Sequence, residues 1–210
     1  MIEYGYIPVS PAQSFRNNKG IFTANDVYDL TNQDKWTNYG QLELIETQTV
    51  SGTPSTLSFD SIKETEYNVH FLTISDFAPQ TDNRHLTVQF KVGGVADTDN
   101  DYQYAMRRVT GGTGAYFKTG NDSRMYLAYN CANTTNETFN AFMYIYNAGL
   151  SSSYTYLTSH SMMIDKDSNQ STNFTCSGYD QLNVVNGIQF QTSGDPLEYG
   201  TFSLYGIKRY

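Results

Sequence analysis

The sequence predicts an all-β chain, an antiparallel β-sandwich of jelly-roll type with an extended N-terminal arm. Three observations carry this. From Gln41 onward, apolar and polar residues alternate over runs of about 5 to 9 positions, the pattern of strands that bury one face. Turn-forming clusters separate the runs, as at Gly93-Gly94, Gly111-Gly112-Thr113-Gly114, Gly120-Asn121-Asp122 and Ser193-Gly194-Asp195-Pro196. Beyond residue 40 no long segment keeps helical spacing, and no repeat of about 20 to 50 residues marks a propeller or solenoid. At 210 residues and 39% hydrophobic content the chain can bury one sizeable core, and 15% aromatics beside only 16% charged residues set it apart from coiled coils and disordered tails. Two antiparallel sheets that each bury one face, with long connections at their ends, suit a jelly roll.

Residues 1–40 form the arm and 41–210 the sandwich. In the arm, Thr23 through Leu30 reads as a short helix, capped by Thr23 with Asp26 three residues on and burying Val27 and Leu30. The remaining apolar residues of the arm are too scattered to offset an ordering entropy of about 1 to 2 kcal/mol per residue, so Tyr4, Tyr6, Phe15, Phe22, Tyr28 and Trp36 are candidate assembly contacts. Strands follow near 41–49, 55–62, 67–75, 85–92, 101–109, 124–129, 137–146, 154–164, 184–192 and 199–207. In the clearest, Leu86, Val88, Phe90 and Val92 share a core face while His85, Thr87, Gln89 and Lys91 share a wet one. Phe90 and its neighbours are expected to meet Phe190, Phe202 and Leu204 in the core. On 137–146, Phe142, Tyr144 and Tyr146 lie opposite Ala141, Met143 and Ile145, so one set is core and the other lies against something else.

Chemistry-bearing motifs are sparse. A net charge of -8 and a sequence pI of about 4.7 repel phosphate backbones, and no run of Lys or Arg compensates, so nucleic acid is not an expected partner. Neither a secretory signal nor an apolar stretch of about 18 residues occurs, so no membrane insertion is expected. Cys131 and Cys176 lie far apart without a zinc-type spacing and read as two unpaired thiols. Asp97, Asp99 and Asp101 alternate like the start of a calcium loop. Tyr102 and Arg108 stand where an EF-hand needs glycine and glutamate, which leaves a solvated acidic loop or a looser calcium site. His70, His85 and His160 sit in strand-like runs with no nucleophile signature nearby and read as strand histidines facing solvent. No catalytic residue, cofactor or enzymatic activity is expected.

Three stretches resemble a family of small jelly-roll-like virion proteins of bacteriophages and prophages. They are Leu42 to Thr49 with Leu57-Ser58-Phe59, Tyr67 through Phe90, and Ile188-Gln189-Phe190 followed by Gly200 to Lys208, whose GTFSLYGIK is similar to that family's last strand. The arm segment from Gly20 to Leu30, followed by Trp36, resembles the openings of some phage fibre proteins. The resemblance implies a tail fibre, head fibre or other virion-associated component with no catalytic residues, made in the host cytoplasm and localised to the virion. Its implied partners are other virion proteins and further copies of itself, a trimer being the favoured symmetry. A carbohydrate-binding module that recognises a host surface glycan is the alternative, with a polysaccharide lyase or hydrolase third. Host contact is expected through loops carrying Asp97, Asp99 and Asp101, Gly111 to Gly114, and Asn130, Asn133 and Asn136, rather than through a cleft.

Overall fold

A computed structural model of the chain describes residues 23–33, 42–134 and 136–207. The chain divides into two units, Met1–Gln41 and Leu42–Tyr210. In the first, helix α1 (Ala24–Asn32) forms as its sequence dictates. The Thr23 hydroxyl accepts from the Asp26 N–H while the Asp26 carboxylate accepts from the Thr23 N–H, a capping box that satisfies two donors at the helix start. Leu30 is buried, Val27 is half-buried and Tyr28 is exposed. Tyr4, Tyr6, Phe15, Phe22 and Trp36 lie outside the described residues. Among the described residues no helix is long and apolar enough to cross a membrane.

The second unit is an all-β sandwich of thirteen described strands: β1 (Leu42–Thr49), β2 (Thr56–Phe59), β3 (Val69–Pro79), β4 (Arg84–Val92), β5 (Val95–Ala96), β6 (Tyr102–Thr110), β7 (Thr113–Asp122), β8 (Met125–Cys131), β9 (Phe139–Tyr146), β10 (Thr155–Ile164), β11 (Gln170–Tyr179), β12 (Gly187–Thr192) and β13 (Leu197–Ile207). Eight strands run β1-β13-β3-β9-β10-β11-β6-β7 in one sheet; β2-β12-β4 make the other, with β5 and β8 sharing the far edge of β4. Every pairing between these strands is antiparallel. The pairs β1·β13, β2·β12, β3·β9 and β4·β8 nest inside one another along the chain, alternating between the two sheets. That nesting is the winding of a jelly roll. Two insertions, the β6–β7 and β10–β11 hairpins, widen the larger sheet beyond β9.

One apolar cluster fills the space between the sheets. Leu86, Val88 and Phe90 are fully buried there with Phe190, Phe202 and Leu204, as the alternation predicts. The Phe190 ring meets Phe202 across the sheets at 5.0 Å between centroids, and Phe59 and Phe77 pack edge-on against them. Burying each such side chain stabilises the fold by about 1.5 to 3 kcal/mol. The GTFSLYGIK stretch becomes β13 up to Ile207, with Phe202 and Leu204 inward. Gly206 leaves the space in which the buried Tyr67 ring sits, since a Cβ there would lie 2.3 Å from Tyr67 Cγ.

Three expectations need correction. Strands β7 and β11 fall where the sequence shows no strand pattern. The second face of β4 is not wet: Thr87 and Gln89 are buried, because Gln89 accepts from Gln191 Nε2, donates to the Ser123 carbonyl and joins an amide ladder across β12. His70 does not face solvent either. It is fully buried, with Nε2 2.7 Å from the Ile62 carbonyl, and burial holds its pKa below the ordinary value so that the ring stays neutral.

Candidate functional site

The outer face of the eight-stranded sheet gathers the side chains that point away from the core. Because successive residues alternate faces, antiparallel register sets one outward residue from each strand beside the next. One row runs Leu44, Tyr205, Phe71, Tyr144; the adjacent row runs Phe142, His160, Phe174, Arg107, Tyr116. The rows interlock at Phe71, whose ring lies 5.0 Å from Tyr144, 6.1 Å from Tyr205 and 6.2 Å from Phe142. His160 stacks on Phe174 at 4.3 Å, and the Arg107 guanidinium sits over Tyr116 at 5.3 Å. Phe142 and Phe174 remain 42% and 48% exposed, so this is a continuous aromatic strip facing water, and it contains no carboxylate. The expectation that Phe142, Tyr144 and Tyr146 oppose Met143 and Ile145 holds: the latter two are fully buried.

Beside the strip, towards β7, the outer face drops into a trough of about 790 Å³. Its floor is made of the small residues Ala105, Cys176 and Gly178, with Cys176 in register opposite Ala105. Tyr154 and Tyr156 wall one side and Lys118, Thr119 and Gly120 the other. Gly178 lies opposite Tyr156, and a Cβ on it would sit in ordinary contact with that ring at 3.5 Å, so the ring borders the floor directly. Gln103 Nε2 donates to Asp180 at 3.2 Å, placing an amide and a carboxylate at the trough wall. A second groove, of about 580 Å³, opens between Met162, Asn140 and the Gly111-Gly112 turn.

The acidic turn adjoins the Asp180 end of the trough, since the Asp180 N–H donates to the Asp101 carbonyl. Asp97, Asp99 and Asp101 bring carboxylate oxygens within 4.8 Å of one another, the one such group among the described residues that could hold a cation. The turn is already held by its own bonds: the Tyr179 hydroxyl donates to Asp97 Oδ2 and the Asp99 N–H to Asp97 Oδ1. Burial raises the Asp101 pKa, the neighbouring Asp97, Asp180 and Asp99 carboxylates add to the rise, and a bond from Gln181 opposes it. Of the asparagines expected in a contact loop, Asn130 lies in β8 with its N–H donated to His85 Nδ1, Asn133 is partly buried and donates to the Gln80 carbonyl, and Asn136 is exposed. The sequence therefore places Asn130 wrongly: it belongs to a strand.

The histidines serve packing. Accepting from Asn130 fixes the His85 proton on Nε2, and burial with Arg108 and Arg84 lowers its pKa. His160 Nε2 lies 3.2 Å from Thr172 Oγ1, whose proton is already given to the Ser161 carbonyl, so the threonine has none to surrender to the ring. Cys131 is buried, which pushes its thiol up to about 12, and Cys176 is exposed in the trough floor; both are free. Sequence reasoning missed the trough because it is built on β7 and β11. The signal that could have found it is the row of small residues Cys176 and Gly178 between Phe174 and Tyr179. Compared with family models, curated proteins and solved structures, the chain matches none.

Proposed function

We propose that the chain is a structural component of a bacteriophage virion, a fibre or other virion-associated jelly-roll subunit that assembles with further copies of itself and with other virion proteins. The observation that carries this reading is the aromatic strip from Leu44 through Phe71 and Tyr144 to Phe174. Contiguous exposed apolar surface marks a contact face. A second copy suits it. At a net charge of -8 copies repel one another, and the strip itself carries no carboxylate, so like strips meet without burying one. The resemblance of GTFSLYGIK to the closing strand of phage virion proteins supports a place in the virion. Tyr28 stands exposed on α1 as a contact for a neighbouring protein.

Light scattering on the purified full chain tests the assembly, and mass spectrometry of particles from the phage or prophage that encodes it tests the location. The expected results are a closed oligomer at micromolar concentration and the chain's presence in the particle. The double variant Phe71→Ser, Phe174→Ser should release folded monomers. A wild-type chain that stays monomeric, or particles that lack it, overturns the proposal.

A further inference from the structure

We propose that the trough over Ala105, Cys176 and Gly178 is a saccharide site that takes an uncharged pyranose ring. This goes beyond the assembly reading and stands without it.

Its volume of about 790 Å³ lies within the range of small-molecule sites, about 300 to 1,000 Å³. Two tyrosines from the same face of one chain segment, Tyr154 and Tyr156, stand 43% and 46% exposed along one wall. The Tyr156 ring lies beside Gly178, and nearly half of its surface is open. A flat, half-exposed ring is a platform for the C–H face of a sugar. Around it stand the groups that hydroxyls need: the Gln103 amide, the Asp180 carboxylate and the Lys118 ammonium supply acceptors and donors together. The Gln103 to Asp180 hydrogen bond orients both, so they need not be ordered when a ligand arrives.

Charge decides which sugar. Asp180 belongs to the trough and its N–H donates to the Asp101 carbonyl, so the clustered carboxylates of Asp97, Asp99 and Asp101 adjoin this end. Lys118 is the one cation of the lining against this group. An anionic sugar such as a uronic or sialic acid therefore meets repulsion, whereas a neutral hexose or N-acetylhexosamine does not. The floor depends on small side chains, so filling it should exclude the ring without touching the core.

A printed array of neutral and acidic bacterial and plant glycans, followed by titration of the best neutral hit on the purified full chain, tests the site. A dissociation constant of about a millimolar per site is expected, rising at least tenfold in Tyr156→Ala and in Gly178→Val. The bound sugar should also slow alkylation of Cys176 by iodoacetamide in the wild-type chain, a readout that requires no substitution. Tyr156→Ala removes an exposed ring and keeps the fold, which circular dichroism checks. No neutral hit, equal binding of galacturonic acid, unchanged affinity in Tyr156→Ala, or unprotected Cys176 at saturating sugar each overturns the proposal. None of these outcomes bears on oligomer formation, which is measured separately.

Discussion

Phe90 and Phe174 are both phenylalanines on strands, and the sandwich gives them opposite roles. Phe90 is fully buried among Tyr102, Tyr179 and the inter-sheet cluster, so Phe90→Ala should lower the unfolding free energy by about 3 to 5 kcal/mol in urea titrations at unchanged m-value. Asp165 makes a sharper case. Burial raises its pKa, but the Thr110 hydroxyl, the N–H groups of Asn169 and Asp167 and the Arg108 guanidinium, 2.5 Å away, together hold it below the ordinary aspartate value. A carboxyl with a depressed folded pKa adds stability that is complete above its unfolded pKa of about 3.9 and fades as pH falls through the folded one. Asp165→Asn should therefore cost about 3 to 5 kcal/mol at pH 7, with the gap to wild type in thermal melts narrowing below about pH 4. Core membership was legible in the sequence wherever an apolar residue recurred every second position, as at Leu86, Val88 and Phe90. Burial of Thr87, Gln89 and His70 was not, because their partners at Gln191, Ser123 and Ile62 come from other elements, and no local pattern announces them.

Among the strands, those with an apolar inner face were readable and those that build the trough were not. Strand β11 turns Ser171, Asn173, Thr175 and Ser177 inward and Phe174 outward, which inverts the usual signal, and β7 carries two glycines and almost no alternation. Both are held largely by their neighbours in register, with Tyr179 of β11 reaching the core and Phe117 of β7 stacking on Tyr129. The capping box of α1 was legible because its chemistry is local, Thr23 to Asp26. Strand β13 shows a third situation, a recognisable motif whose glycine has a physical cause only in the fold. Gly206→Ala should force the Tyr67 ring out of its seat and cost about 1 to 3 kcal/mol, seen as a lower melting temperature and a changed near-ultraviolet tyrosine signal.

The class of the molecule followed from alternation and turns, whereas the order of its strands did not, since each nested pair joins segments that lie far apart in the chain. The candidate contact loops at Asp97 to Asp101 proved to border a sheet-borne trough, which shifts attention from loop tips to the broad outer face. The nesting also sets the order of events at birth. Of the described strands β12 and β13 are the last to leave the ribosome, yet each is an interior strand of its sheet, β12 between β2 and β4 and β13 between β1 and β3. They act as keystones: among the described strands β1 pairs with β13 and β2 with β12, and neither has another neighbour. While the chain emerges at about 5 to 20 residues per second, those early strands wait with open edges, so the sandwich closes only once β12 and β13 have emerged. A nascent chain stalled before Gly187 holds two incomplete half-sheets that a neighbouring nascent chain's β12 and β13 could fill.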